Sequence, residues 1–166
     1  MTDDYESLFA FNRWADRHVL DACRTLTPEQ YAAEPVPGWS SVRSSLVHNA
    51  IVIDGWLAGL TGVVGGEPLT EADLPAIDDI ERLLDRAGRT FEELRPRFTP
   101  EWLSTPLTLR RGSRSVALPP WVVLRHVVNH STYHRGQVAS KLKRFGVEPP
   151  RIDFTLWAME QMPQAG

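Results

Sequence analysis

The sequence is poor in the features that assign a protein quickly. Its 166 residues hold a single cysteine, Cys23, so no intramolecular disulfide can form; beside Ala22 on an apolar helix face, a buried inert thiol is the expectation. Basic residues are outnumbered, 18 Lys and Arg against 21 Asp and Glu for a formal charge of −3, which leaves no electrostatic footprint for nucleic acid. The longest apolar stretch, Ile51 to Val64, is interrupted by Asp54 and glycines and falls short of the ~20 residues a membrane span needs. Residues 1–10 carry Asp3, Asp4 and Glu6 where a secretory leader would carry positive charge. A cytoplasmic protein with neither a nucleic-acid nor a membrane partner is expected. Catalytic signatures are equally scarce: there is no Gly-x-x-x-x-Gly-Lys phosphate loop, no His-Glu-x-x-His zincin motif and no Glu-x-x-His pair for a di-iron bundle.

What is present is helical periodicity. Residues 4–26 return Leu8, Phe11, Ala15, Val19, Ala22 and Leu26 at steps of three and four and predict a first helix that Thr27-Pro28 ends. After the breaker Pro35-Val-Pro-Gly-Trp39, Ser40 or Ser41 can cap a second helix reaching Leu60. Between Thr61 and Ala76, with Gly65, Gly66, Pro68 and Pro75, lies a linker long enough to cross a bundle end and start the next helix parallel to the last. A third helix is predicted over 77–95 from Ile77, Ile80, Leu83, Leu84, Ala87, Phe91 and Leu94, with Pro96 as its stop. Apolar and polar residues then alternate from Trp102 to Leu109 and from Ser113 to Leu118, around Arg110-Arg111-Gly112-Ser113, as in a short β-hairpin or irregular excursion. A fourth helix follows Pro119-Pro120 and runs from Trp121 to Phe145, before Gly146; a short last helix is expected over 153–161. The expected fold is all-α: one domain spanning 1–166, a four-helix bundle with a long crossover between the second and third long helices.

The fourth of these helices carries His126-Val-Val-Asn-His130-Ser-Thr-Tyr-His134-Arg-Gly-Gln137. An i, i+4 spacing puts two imidazoles on one helical face about 6 Å apart along the axis. With Val123, Val127 and Gln137 in the same sector, the histidines are expected on the buried face. Burying imidazole beside valine is costly unless both ring nitrogens are satisfied, which a metal on one and a hydrogen bond on the other achieve. Three histidines in steps of four cannot share one ion, because the outer pair lies about 12 Å apart and a ligating nitrogen lies only ~2 Å from zinc. One adjacent pair can ligate, and spacing leaves His126/His130 and His130/His134 equally open. A third ligand is available in His48, which stands in a row of small residues, Ser41, Ser44, Val52, Gly55 and Gly59, opposite the bulky stripe of the second helix. Three imidazoles leave open positions on an ion, the arrangement of catalytic sites. Zinc, nickel, iron and cobalt all accept such ligands. His18, between Asp16 and Arg17, reads as a solvated surface residue.

The segment from His126 to Gln137 resembles the signature helix of the DinB-like superfamily, the damage-inducible and thiol-transferase-like bundles. Asn12-Arg-Trp14-Ala-Asp, and Gly38-Trp-Ser-Ser-Val-Arg-Ser-Ser-Leu-Val-His48 followed by Asp54-Gly-Trp56-Leu, are similar to that family's first and second helices. The resemblance implies a four-helix bundle with one divalent metal ion held by His48, His130 and His134, and a homodimer. It leaves His126 as a neighbour of the ion. It further implies a small-molecule substrate, with chemistry involving low-molecular-weight thiols such as bacillithiol or mycothiol.

On this reading the protein is a metal-dependent thiol S-transferase or related enzyme. Asn129, Tyr133 and Gln137, beside the ligands on the same helix, are the candidates for orienting substrate. Arg135, turned about 140° from His130 at ~100° per residue, is expected to cap, pair or contact another helix. Two rival readings are a metal-dependent hydrolase, which needs a base within reach of a water, and a non-enzymatic, stress-associated dimeric metal-binding module. No Asp or Glu lies near the ligands in sequence, which favours the thiol route.

Overall fold

The structure, a computed structural model, describes residues 2–38, 40–62, 69–111 and 114–162. Trp39, Gly65, Gly66, Pro68, Gly112 and Ser113, to which the sequence assigns breaker, linker and turn roles, lie outside the described residues. Four long helices form the bundle: α1 (Thr2–Cys23), α3 (Val42–Leu60), α4 (Ile77–Leu94) and α6 (Pro120–Arg144). Short helices α2 (Pro28–Ala32), α5 (Pro100–Ser104) and α7 (Phe154–Gln161) and a hairpin of β1 (Leu107–Arg111) with β2 (Arg114–Leu118) complete it.

Two boundaries differ from the sequence reading. The first helix stops at Cys23, because Thr27 opens a helix of its own. Its hydroxyl accepts from the Gln30 amide at 3.2 Å while its own amide donates to Gln30 Oε1 at 3.0 Å, with Pro28 in the first turn. The alternation from Trp102 is helical at its start: Thr99 Oγ1 accepts from the Trp102 amide at 3.1 Å and opens α5, so extended pairing begins only at Leu107. Elsewhere local signals suffice. Ser41 caps α3 through the Ser44 amide at 2.9 Å. Gly146, at φ 75°, ends α6 in a left-handed turn in which the Val147 amide reaches the Leu142 carbonyl at 3.0 Å and the Gly146 amide that of Lys143 at 3.1 Å.

Cross-helix pairs give the directions. Arg24 reaches Asp78 and Glu81, Arg17 reaches Asp85 and Arg95 reaches Glu6, so α1 and α4 are antiparallel. Glu71 meets Arg43 and Ser44 at the start of α3, and Arg86 on α4 forks onto Asp54 at 2.8 and 2.7 Å, so the chain has crossed back and α3 and α4 are parallel. Ser45 pairs with Lys141 and Trp56 with His126, which makes α3 and α6 antiparallel.

The core is divided in two. One apolar cluster centres on Phe9, Leu57, Phe91 and Val127, the other on Leu20, Leu46, Leu83 and Leu142. Between them lies a buried polar layer of Asn12, Asp16, Asn49, Ser131 and Arg135. Leu109 of β1 covers the first cluster at Gly59, where a β-carbon would stand 3.6 Å from its Cδ2.

Candidate metal centre

His48 from the middle of α3 and His130 and His134 from α6 converge at the level of the polar layer. Their ring centroids are 5.2, 4.8 and 4.3 Å apart, and one nitrogen from each lies within 4.8 Å of the others. The antiparallel α3/α6 pair explains the meeting, since the groove faces of both helices run past each other and small residues flank His48.

The expectation that these histidines lie on the buried face needs correction. His130 and His134 are half-buried and His48 and His126 exposed. Their sector of α6 borders the core rather than entering it; Val123 and Val127 turn inward while the imidazoles fill the seam between helices. The structure separates the two candidate pairs. His126 stacks 5.3 Å from His130 but turns its ring toward Trp56, 5.5 Å away edge-on, and stays outside the converging set.

The residues present fit a divalent ion. Nitrogens ~2 Å from one ion are at most about 4 Å apart, so a small rotation of a ring closes a set now within 4.8 Å. Nδ1 of His134 is buried without a hydrogen-bond partner among the described residues. Burial, then the nearby His48, hold the His134 pKa below its ordinary value, with Gln137 opposing, and a neutral ring is the ligating form. Among the described residues no carboxylate or thiol joins the group.

The substrate-orienting candidates divide. Gln137 is half-buried one turn beyond His134 on α6. Tyr133 is 64% exposed with its ring edge-on to His134 at 5.2 Å. Asn129 is exposed on the same helix. Cys23 is fully buried, and burial pushes its thiol up to about 12. His18 is exposed and its Nδ1 lies 2.8 Å from the Trp14 carbonyl.

The ligand helix is supported by a buried polar group that apolar periodicity does not announce, in which Arg135 makes the expected contact with another helix. Arg135, 3% exposed, donates to Asp16 Oδ1 at 2.9 Å and Asn12 Oδ1 at 2.7 Å, while Asn12 Nδ2 donates to Asp16 and Ser131. Burial pushes the Asp16 carboxyl up and the guanidinium opposes it. The signal was there: Asn12 and Asp16 are polar, four apart, beside the apolar stripe of α1, at the spacing of Ser131 and Arg135.

Fold and site together define a helical bundle with a crossover and a three-histidine group able to hold a metal ion between its second and fourth long helices. The sequence profile of the DinB family matches residues 1–164, and the chain belongs to that family. It is 25% identical over 163 residues to protein DinB of Bacillus subtilis (strain 168), covering 95% of each chain. The fold is that of a DinB-like protein from Bacillus cereus ATCC 10987, with a TM-score of 0.69 at 20% identity, over 90% of this chain and 95% of that one. A second crystal structure, from Exiguobacterium sibiricum 255-15, matches with a TM-score of 0.56 at 18% identity over 92% of this chain and 96% of that one.

Proposed function

We propose that this protein binds one divalent metal ion through His48, His130 and His134 and transfers a low-molecular-weight thiol to a small electrophile. The observation that carries the proposal is the composition of the group: three imidazoles, one nitrogen of each within 4.8 Å of the others, and among the described residues no carboxylate. When bound, the ion would lower the pKa of a thiol and hold it as thiolate, the nucleophilic form. The three histidines hold that charge at the seam, with Tyr133 edge-on to His134 as an aromatic wall. In the reaction the S–H proton passes to solvent, sulfur bonds to the electrophilic carbon, and the leaving group departs with its electron pair.

A hydrolase reading requires a base positioned over a water. Among the described residues no carboxylate joins the histidine group; Asp54 is engaged by Arg86, and Asp16 is buried against Arg135. Among the described residues no helix is long and apolar enough to cross a membrane, in keeping with a cytoplasmic role. A homodimer is part of the proposal. α7 buries none of its residues and exposes Phe154 and Met159, an apolar surface a second copy would cover.

Elemental analysis of purified protein tests the site. Wild type should carry stoichiometric zinc, nickel, iron or cobalt, and His48→Ala and His134→Ala should lose it; full retention by both variants refutes the ligand set. Transfer of bacillithiol, mycothiol or glutathione to an electrophile tests the chemistry, and no metal-dependent turnover with any of them refutes the transferase.

A further inference from the structure

Beneath the histidine seam, the polar layer encloses a cavity with about 10 Å³ of room for the centre of a water-sized sphere, lined by Asp16, Ser45, Asn49, His134 and Arg135 among apolar neighbours. Asn49 is 4% exposed, and its Oδ1 receives no hydrogen bond among the described residues. A buried amide oxygen without a donor is costly. Ser45 cannot supply one, because its hydroxyl already donates to the Ser41 carbonyl at 3.1 Å and accepts from Lys141. The Arg135 guanidinium points its bonds to Asp16, Asn12 and Thr132 and gives none to Asn49 Oδ1. The room matches what one buried water needs, and such waters make two to four hydrogen bonds to groups of this kind.

We propose that this chamber holds one ordered water that donates to Asn49 Oδ1 and to the Asp16 carboxylate and bonds the inward edge of the His134 ring, making Asn49 a positioning residue for the histidine group. Each Asp16 oxygen has a lone pair to spare beyond its bonds to Arg135 and Asn12. A metal-ligating histidine is generally fixed by a hydrogen bond to its other nitrogen, and here that bond would run through water to the buried ion pair joining α1 and α6. The positioning role rests on the metal reading above; the water site does not.

A crystal structure of the metal-free full chain, at a resolution that orders internal water, is the first test. One water within hydrogen-bond distance of Asn49 and Asp16 is expected, and a dry chamber overturns the proposal whatever the metal does. Cobalt(II) titration followed by visible absorption is the second. Asn49→Leu, which fills the chamber with an apolar side chain, should weaken cobalt about 10- to 100-fold and shift the absorption bands. Asn49→Ser keeps a hydroxyl and room for water and should retain most of the affinity. Wild-type affinity in the leucine variant, or equal losses in both, overturns the positioning role. Should wild type bind no cobalt, the proposed function fails, and the water in the metal-free crystal alone decides the chamber.

Discussion

His48, His130 and His134 are unequal partners. His48 is exposed at the mouth of the seam, whereas His134 is half-buried over the polar layer with its pKa depressed by burial. Above about pH 6.5, the ordinary value, His134 is neutral in both the folded and unfolded chain. Because the folded chain protonates it less readily, its contribution to stability is complete there and is lost as pH falls through the depressed value. The urea midpoint of metal-free wild type should therefore decline from pH 7 to 5 more steeply than that of His134→Ala; parallel declines would remove the argument. Lys141 is a second residue whose burial has a cost. It is 3% exposed, its pKa is lowered by burial, and among the described residues its ammonium meets three serine oxygens and no carboxylate. Lys141→Met should be neutral or stabilising by about 1 kcal/mol, since an uncompensated buried charge is replaced by an apolar chain of similar length; chemical denaturation at pH 7 checks it.

At the scale of elements, α6 matters most, because it carries two of the three histidines and its register on α1 depends on one buried ion pair. Arg135→Met leaves the Asp16 carboxylate without its partner and should cost about 3–5 kcal/mol. Asp16→Leu combined with Arg135→Met removes both charges and should recover most of that loss, measured as a double-mutant cycle. The end of α6 gives a smaller, cleaner test: Gly146→Ala forces a β-carbon into the left-handed region at φ 75° and should cost about 1–2 kcal/mol. Most of α6 was legible in the sequence, from Pro120 at its start to Gly146 at its stop, because both signals act within one turn of chain. The early end of α1 and the start of α5 were not. There a threonine cap beside a proline competed with an apolar period, and the local hydrogen bonds prevailed over the longer pattern.

For the whole molecule, the proposed ion would couple its binding to the fold through the seam between α3 and α6. An ion that binds the folded chain alone stabilises it by about 2.7 kcal/mol at one hundred times its Kd. For a domain of this size that is a rise in Tm of roughly 5–10 °C. Calorimetry should show the rise in wild type and not in His48→Ala, and an equal rise in both would place the ion elsewhere. Light scattering at micromolar concentration should give twice the mass of one chain, and a monomer would refute the proposed dimer.

By itself, the sequence determined the four long helices, their order and the long crossover, since apolar periodicity, caps and breakers act over a few neighbouring residues. It also marked the histidines and, through their i, i+4 spacing, limited them to one pair on α6. The tertiary structure places one of the two candidate pairs beside His48. Antiparallel packing brings His48 opposite His130 and His134 and leaves His126 beside Trp56, a matter of register between helices about seventy to ninety residues apart in the chain. It alone revealed the polar layer, because Asn12, Asp16, Asn49, Ser131 and Arg135 come from three helices distant in the chain and only their packing encloses them together.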